Sequence, residues 1–128
     1  MRGLLFAVLL LPTLALAQKT AAKLDCKYTG KDFAYECIIR LEPAIEGVQV
    51  TVSADMPSMP LAHTVKPVRA QATKTPGEYR ARLELEMTGE WAVKLRLSGA
   101  VRDQLVLHYE FDERGARPVK RSAPSPRK

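Results

Sequence analysis

The chain has 128 residues, with twenty Lys and Arg against fourteen Asp and Glu, two cysteines, two histidines and four methionines. That length holds one small hydrophobic core and not two. The formal net charge is +6, and much of it sits at the end of the chain, where Asp112 to Lys128 sets six basic residues against two acids without interleaved aromatics, so a nucleic-acid-binding face is not indicated.

At the start, Arg2 precedes an apolar run from Leu4 to Leu16, interrupted by Pro12 and Thr13 and ending in the small-x-small pattern Ala15 Leu16 Ala17. This pattern predicts a secretory signal peptide over residues 1–17, cleaved before Gln18. A membrane anchor is the competing reading, but the run falls short of the roughly 20 residues that span a bilayer. The mature chain is therefore expected in the periplasm or outside the cell.

Leu24, Cys26 and Tyr28 share one face of a first strand, and Phe33, Tyr35, Cys37, Ile39 and Leu41 share one face of the next. A hairpin around Gly30, Lys31 and Asp32 that sets residue 28 against 35 brings Cys26 opposite Cys37. An even cysteine count in an exported chain favours a disulfide between them. The other reading, a reactive redox pair, lacks the C-x-x-C spacing.

Further along, Val48, Val50, Val52 and Ala54 alternate with polar residues after Gly47. Thr64 to Thr73, broken by Pro67, reads as an edge strand. After the Pro76 Gly77 turn, Tyr79, Ala81, Leu83 and Leu85 face inward, and Arg80, Arg82, Glu84 and Glu86 outward. Gly89 opens the alternation Trp91, Val93, Leu95, Leu97, with Lys94 and Arg96 expected to pair across with the preceding acids. Leu105, Leu107, Tyr109 and Phe111 form the last inward row.

About seven strands without a sustained helical period predict an all-β fold, an antiparallel immunoglobulin-like β-sandwich over residues 18–111. Trp91 and Phe33 are expected between its sheets. Residues 112–128, rich in Arg, Lys, Pro and Ser, read as a disordered basic tail. Such a tail can touch an anionic membrane surface peripherally or an acidic partner, or simply solubilise the chain.

The inventory for catalysis is thin. No glycine-rich phosphate loop, H-E-x-x-H or G-x-S-x-G occurs, and the acids alternate with core residues on a solvated face. The chain is therefore not read as an enzyme.

One segment concentrates residues of a single chemistry: Asp55 Met56 Pro57 Ser58 Met59 Pro60 Leu61 Ala62 His63. Thioether sulfur and imidazole suit Cu(I), so Met56, Met59 and His63 form a candidate copper set. A polyproline II course would place the two methionines on one edge, about 9 Å apart at the backbone. The plainer reading is that the methionines plug one end of the sandwich. Met87, in another turn, and His108, in the last strand, are further candidates to complete a site.

The Met/Pro loop, the stretch Pro76 Gly77 Glu78 Tyr79 Arg80 Ala81 and the series Met87 Thr88 Gly89 Glu90 Trp91 together resemble the small YtkA-like domain, akin to FixH-like proteins. The resemblance covers roughly Val48 to Phe111. It implies an immunoglobulin-like sandwich and an exported accessory role, in the setting of copper transport or respiratory oxidase assembly. It points to Met56, Met59 and His63 as the metal loop, and to Gly77, Tyr79, Gly89 and Trp91 as structural residues. A metal-free module supporting an envelope complex is the alternative.

Overall fold

The computed structural model describes Gly3 together with residues 20–59 and 63–119. The expected leader therefore lies outside the described residues, as does the end of the basic tail. Nine strands are described: β1 (Ala21–Tyr28), β2 (Ala34–Glu42), β3 (Val48–Asp55), β4 (Thr64–Arg69), β5 (Gln71–Ala72), β6 (Glu78–Glu84), β7 (Gly89–Gly99), β8 (Asp103–Asp112) and β9 (Gly115–Pro118).

They form two antiparallel sheets, ordered β1-β2-β6-β5 and β4-β3-β7-β8-β9. With β9 set aside, this is the strand order of immunoglobulin sandwiches that carry one added strand beside the third. The expected all-β sandwich is what forms, and period-two alternation is its cause. The inward rows form the core, from Tyr35, Cys37, Ile39 and Leu41 on one sheet to Val50, Val52, Trp91, Val93 and Leu95 on the other, while Tyr28, Leu105 and Leu107 are only partly buried against it. Each large apolar side chain so covered contributes about 1.5–3 kcal/mol against chain entropy.

Register follows the same logic. Tyr28 lies opposite Tyr35 and Cys26 opposite Cys37, and the two sulfurs are bonded with their Cα atoms 4.0 Å apart. Three tyrosine hydroxyls tie one sheet to the backbone of the other. Tyr109 accepts the Leu24 N–H at 3.0 Å, Tyr79 donates to the Val48 carbonyl at 2.9 Å, and Tyr35 donates to the Asp112 carbonyl at 2.8 Å.

The segment read as an edge strand is one, but it changes sheets. β4 pairs with β3, Ala70 is buried where its N–H reaches the Val50 carbonyl at 2.9 Å, and β5 then pairs with β6. The β3–β4 register slips between Val52 and Ala54, at the level of Lys66 and Pro67. A proline without an N–H is tolerated at such an edge irregularity.

Three expectations are corrected. Phe33 is 39 % exposed and not between the sheets, because Asp32 and Phe33 both take left-handed backbone angles (φ 55° and 53°) and break the alternation. β6 and β7 lie in different sheets, so Lys94 does not pair with the acids of β6. It bonds Asp55 on β3 at 2.8 Å, while Arg82 reaches Glu36 on β2 at 3.2 Å. Finally, the ordered fold runs past residue 111, since β9 pairs with β8 and closes against β1. Gly115 permits that closure, because at its φ of +126° a Cβ would stand 2.6 Å from the Cys26 carbonyl oxygen.

Candidate functional site

The hairpin register sets the β3–β4 loop, the β6–β7 connection, the β1–β2 turn and the β8–β9 turn at one end of the sandwich. All three residues of the candidate metal loop lie there. Met56 directly follows β3 and keeps its alternation, as the next inward position after Val52 and Ala54. Its side chain is accordingly only 5 % exposed.

The loop is closed by its own backbone. Met56 N–H reaches the His63 carbonyl at 3.3 Å, continuing the β3–β4 ladder by one rung, and His63 N–H reaches the Met59 carbonyl at 3.3 Å. Met59 N–H bonds the Met56 carbonyl at 3.0 Å, closing a four-residue turn with Pro57 in its second position. Proline's fixed φ suits that position.

This corrects the extended polyproline course. A β-turn holds its first and fourth Cα atoms within about 7 Å, closer than three extended residues allow. Met56 and Met59 are nearer at the backbone than the sequence reading required, yet they differ in access. Met59 is 41 % exposed, whereas Met56 belongs to the buried core.

His63 is held from the facing connection. Its Nδ1 lies 2.5 Å from Glu86 Oε2, linking the β3–β4 loop to the segment between β6 and β7. A carboxylate only accepts, so in the neutral ring the hydrogen sits on Nδ1 and Nε2 keeps its lone pair. This is the arrangement in which a carboxylate orients a ligating imidazole. Alternation places Glu86 on a solvated face, and its side chain is 56 % exposed. Its partner comes from a loop 23 residues away in sequence, and no local signal announces that pairing.

Met87 and Gly89 complete this end. Met87 is partly buried against the core, and its carbonyl accepts the Trp91 indole N–H at 3.1 Å. Gly89 backs Met56: at its φ of +132°, a Cβ would stand 3.1 Å from the Met56 methyl carbon. His108 is elsewhere. It sits on the outer face of β8 opposite Ala92, and its Nδ1 is buried without a hydrogen-bond partner among the described residues.

Among the described residues, no three His, Cys, Asp or Glu side chains gather as a metal-binding group. The donors that share this end are thioethers and one imidazole nitrogen, a soft set whose chemistry fits Cu(I). Met59 is exposed, the His63 side chain is 25 % exposed and Met56 is buried. Cys26 and Cys37 are bonded to each other in the core and offer no thiolate.

Among comparisons with known proteins, the model of the YtkA-like family matches residues 40–96, from the end of β2 to the middle of β7. That span contains Met56, Met59, His63, Glu86 and Gly89. No curated protein and no solved structure matches the chain.

Proposed function

We propose that this chain, YtkA-like over residues 40–96, is an exported accessory protein that binds Cu(I) at one end of its sandwich and passes it to an envelope partner in copper transport or oxidase assembly. The observation that carries this reading is the closed Met56–Met59–His63 loop, in which Glu86 holds the His63 ring by Nδ1. The bound metal would be held by Met59 sulfur and His63 Nε2, with Met56 sulfur as a third donor behind them. One open donor, one partly covered and one buried suit transfer better than storage, because a partial ligand set leaves positions for the acceptor's own ligands. The Cys26–Cys37 disulfide agrees with an oxidising compartment.

Titration of the mature protein with Cu(I) against a competing chelator tests the reading. One Cu(I) per chain is expected, with affinity reduced about tenfold or more in Met59→Leu and in His63→Gln. A chain that never competes with the chelator ends it.

The exposure of Phe33 and Met59 at the same end favours a second reading, a metal-free interaction module that offers this apolar tip to an envelope complex. Its signature is co-purification of a defined partner that persists under a Cu(I) chelator and is lost in a Phe33→Asp, Met59→Asp protein. An unchanged complex in the double variant counts against it.

A further inference from the structure

The methionines at this end are graded by burial, and the grading has a chemical consequence. Met56 is enclosed between Gly89 and the core, Met87 is partly covered, and Met59 stands in solvent within the same closed turn as Met56. Thioethers are oxidised by hydroperoxides at a rate set by access. We propose that Met59 is a modification site for hydroperoxides, and that its conversion to the sulfoxide removes the open soft donor from the metal loop. The second half rests on the copper reading above.

The step balances without a cofactor. The Met59 sulfur attacks one peroxide oxygen, an S–O bond forms and the O–O bond breaks. The oxygen that stays on sulfur gives up its proton, and the departing oxygen takes up one proton and leaves as water, or as an alcohol from an organic hydroperoxide. Sulfur loses two electrons and the peroxide gains them. The product presents a hard, polar oxygen where a soft sulfur stood.

The fold is arranged to survive this change at Met59 and not at Met56. The Met59 contacts that close the loop are made by its backbone N–H and carbonyl, which oxidation leaves intact. A sulfoxide on Met56 would place a strong acceptor in the apolar core, beside Gly89, where burying a polar group is costly. Burial thus directs oxidation to the residue whose loss alters binding and spares the one whose loss would open the sandwich. Enzymatic reduction of the sulfoxide would restore the donor.

The test treats the metal-free mature protein with hydrogen peroxide and follows Met56, Met59 and Met87 by peptide mass mapping. Met59 is expected to oxidise about tenfold or more faster than Met56, with Met87 between them. Thermal unfolding should stay unchanged once Met59 carries its oxygen. Oxidation of Met56 as fast as Met59, or a fall in melting temperature with the first oxygen, overturns the proposal. Cu(I) competition on the singly oxidised protein should show the same loss as Met59→Leu, reversed by methionine sulfoxide reductase. An undiminished affinity overturns the donor-loss half. If the unoxidised chain holds no Cu(I), the copper reading fails and the donor-loss half fails with it, while the order of oxidation is decided by mass alone.

Discussion

Replacing Met56 by alanine separates the packing role of this methionine from any role as a ligand. Its side chain is 5 % exposed and its methyl carbon lies against Gly89, so truncation removes buried atoms and leaves a void. Buried Met→Ala changes cost about 2–5 kcal/mol, depending on how far the site collapses. Met56 lies at the end of the sandwich beside a loop that can settle inward, which argues for the lower part of that range, about 2–3 kcal/mol. In a domain of this size each kcal/mol moves the melting temperature by about 4–8 °C, so Met56→Ala should lose about 10–20 °C. Met59→Ala, on an exposed side chain, should stay within about 0.5 kcal/mol of the parent. Met56→Leu keeps the volume and should cost under about 1.5 kcal/mol. Thermal unfolding followed by Trp91 fluorescence reads all three, since Trp91 is the single tryptophan and is fully buried. Equal melting temperatures for Met56→Ala and Met59→Ala would refute the division of the loop into a packed and an open methionine. The copper experiment must accordingly use Met56→Leu, because the alanine variant confounds binding with folding.

Reduction of the Cys26–Cys37 bond releases a loop closed over a sequence separation of 11 and should cost about 3 kcal/mol, read as a lower melting temperature in the presence of reductant; an unchanged value would contradict the cross-link's role. Tyr109→Phe leaves the buried Leu24 N–H without its acceptor and should destabilise by about 1–3 kcal/mol in urea denaturation, against about 0–0.5 kcal/mol if the bond were unimportant. Burial, followed by the nearby Tyr28, Asp112 and Glu113, raises the Tyr35 hydroxyl above its ordinary value of 10.0, so the unfolded chain loses this proton first. Stability should therefore fall as pH climbs above that ordinary value, with a shallower fall in Tyr35→Phe. The Arg114 backbone N–H, opposed in part by desolvation and aided by Arg117, holds the Asp112 carboxyl below its ordinary value of 3.8. Its stabilisation is complete above that value and is lost as pH falls through the lowered one, and Asp112→Asn should flatten the acid limb of the melting curve.

The sheets were legible because side-chain parity is a strict period. Once Tyr28 was set against Tyr35 across a short turn, the Cys26–Cys37 bond followed, and the structure keeps that register. Parity also places Met56 inward, as the next even position after Ala54, although Pro57 and Pro60 give its surroundings the composition of a loop. Which strands share a sheet, and which loops meet, was not legible. Consecutive strands β6 and β7 look like a hairpin in sequence, and only tertiary topology assigns them to different sheets and sends Lys94 to Asp55. The Glu86–His63 contact belongs to the same class, since it joins two loops that meet only after the sandwich closes. Phe33 misled because a left-handed pair at Asp32 and Phe33 is invisible to alternation. β9 was hidden by composition, because Gly115–Pro118 sits in a basic stretch and is ordered by pairing with β8 and by Gly115's approach to Cys26.

The central claim is that a backbone-closed loop presents Met59 and His63 to Cu(I), with Glu86 holding the imidazole. Competition titration of the mature protein and of its Met56→Leu, Met59→Leu, His63→Gln and Glu86→Gln variants tests it most directly. One Cu(I) per chain is expected, with losses of about tenfold or more for Met59→Leu and His63→Gln, and about tenfold for Glu86→Gln, as when an imidazole loses its orienting carboxylate. Met56→Leu should weaken binding less than Met59→Leu. Affinities that are the same across all five proteins, or no Cu(I) taken from the chelator by any of them, would contradict it.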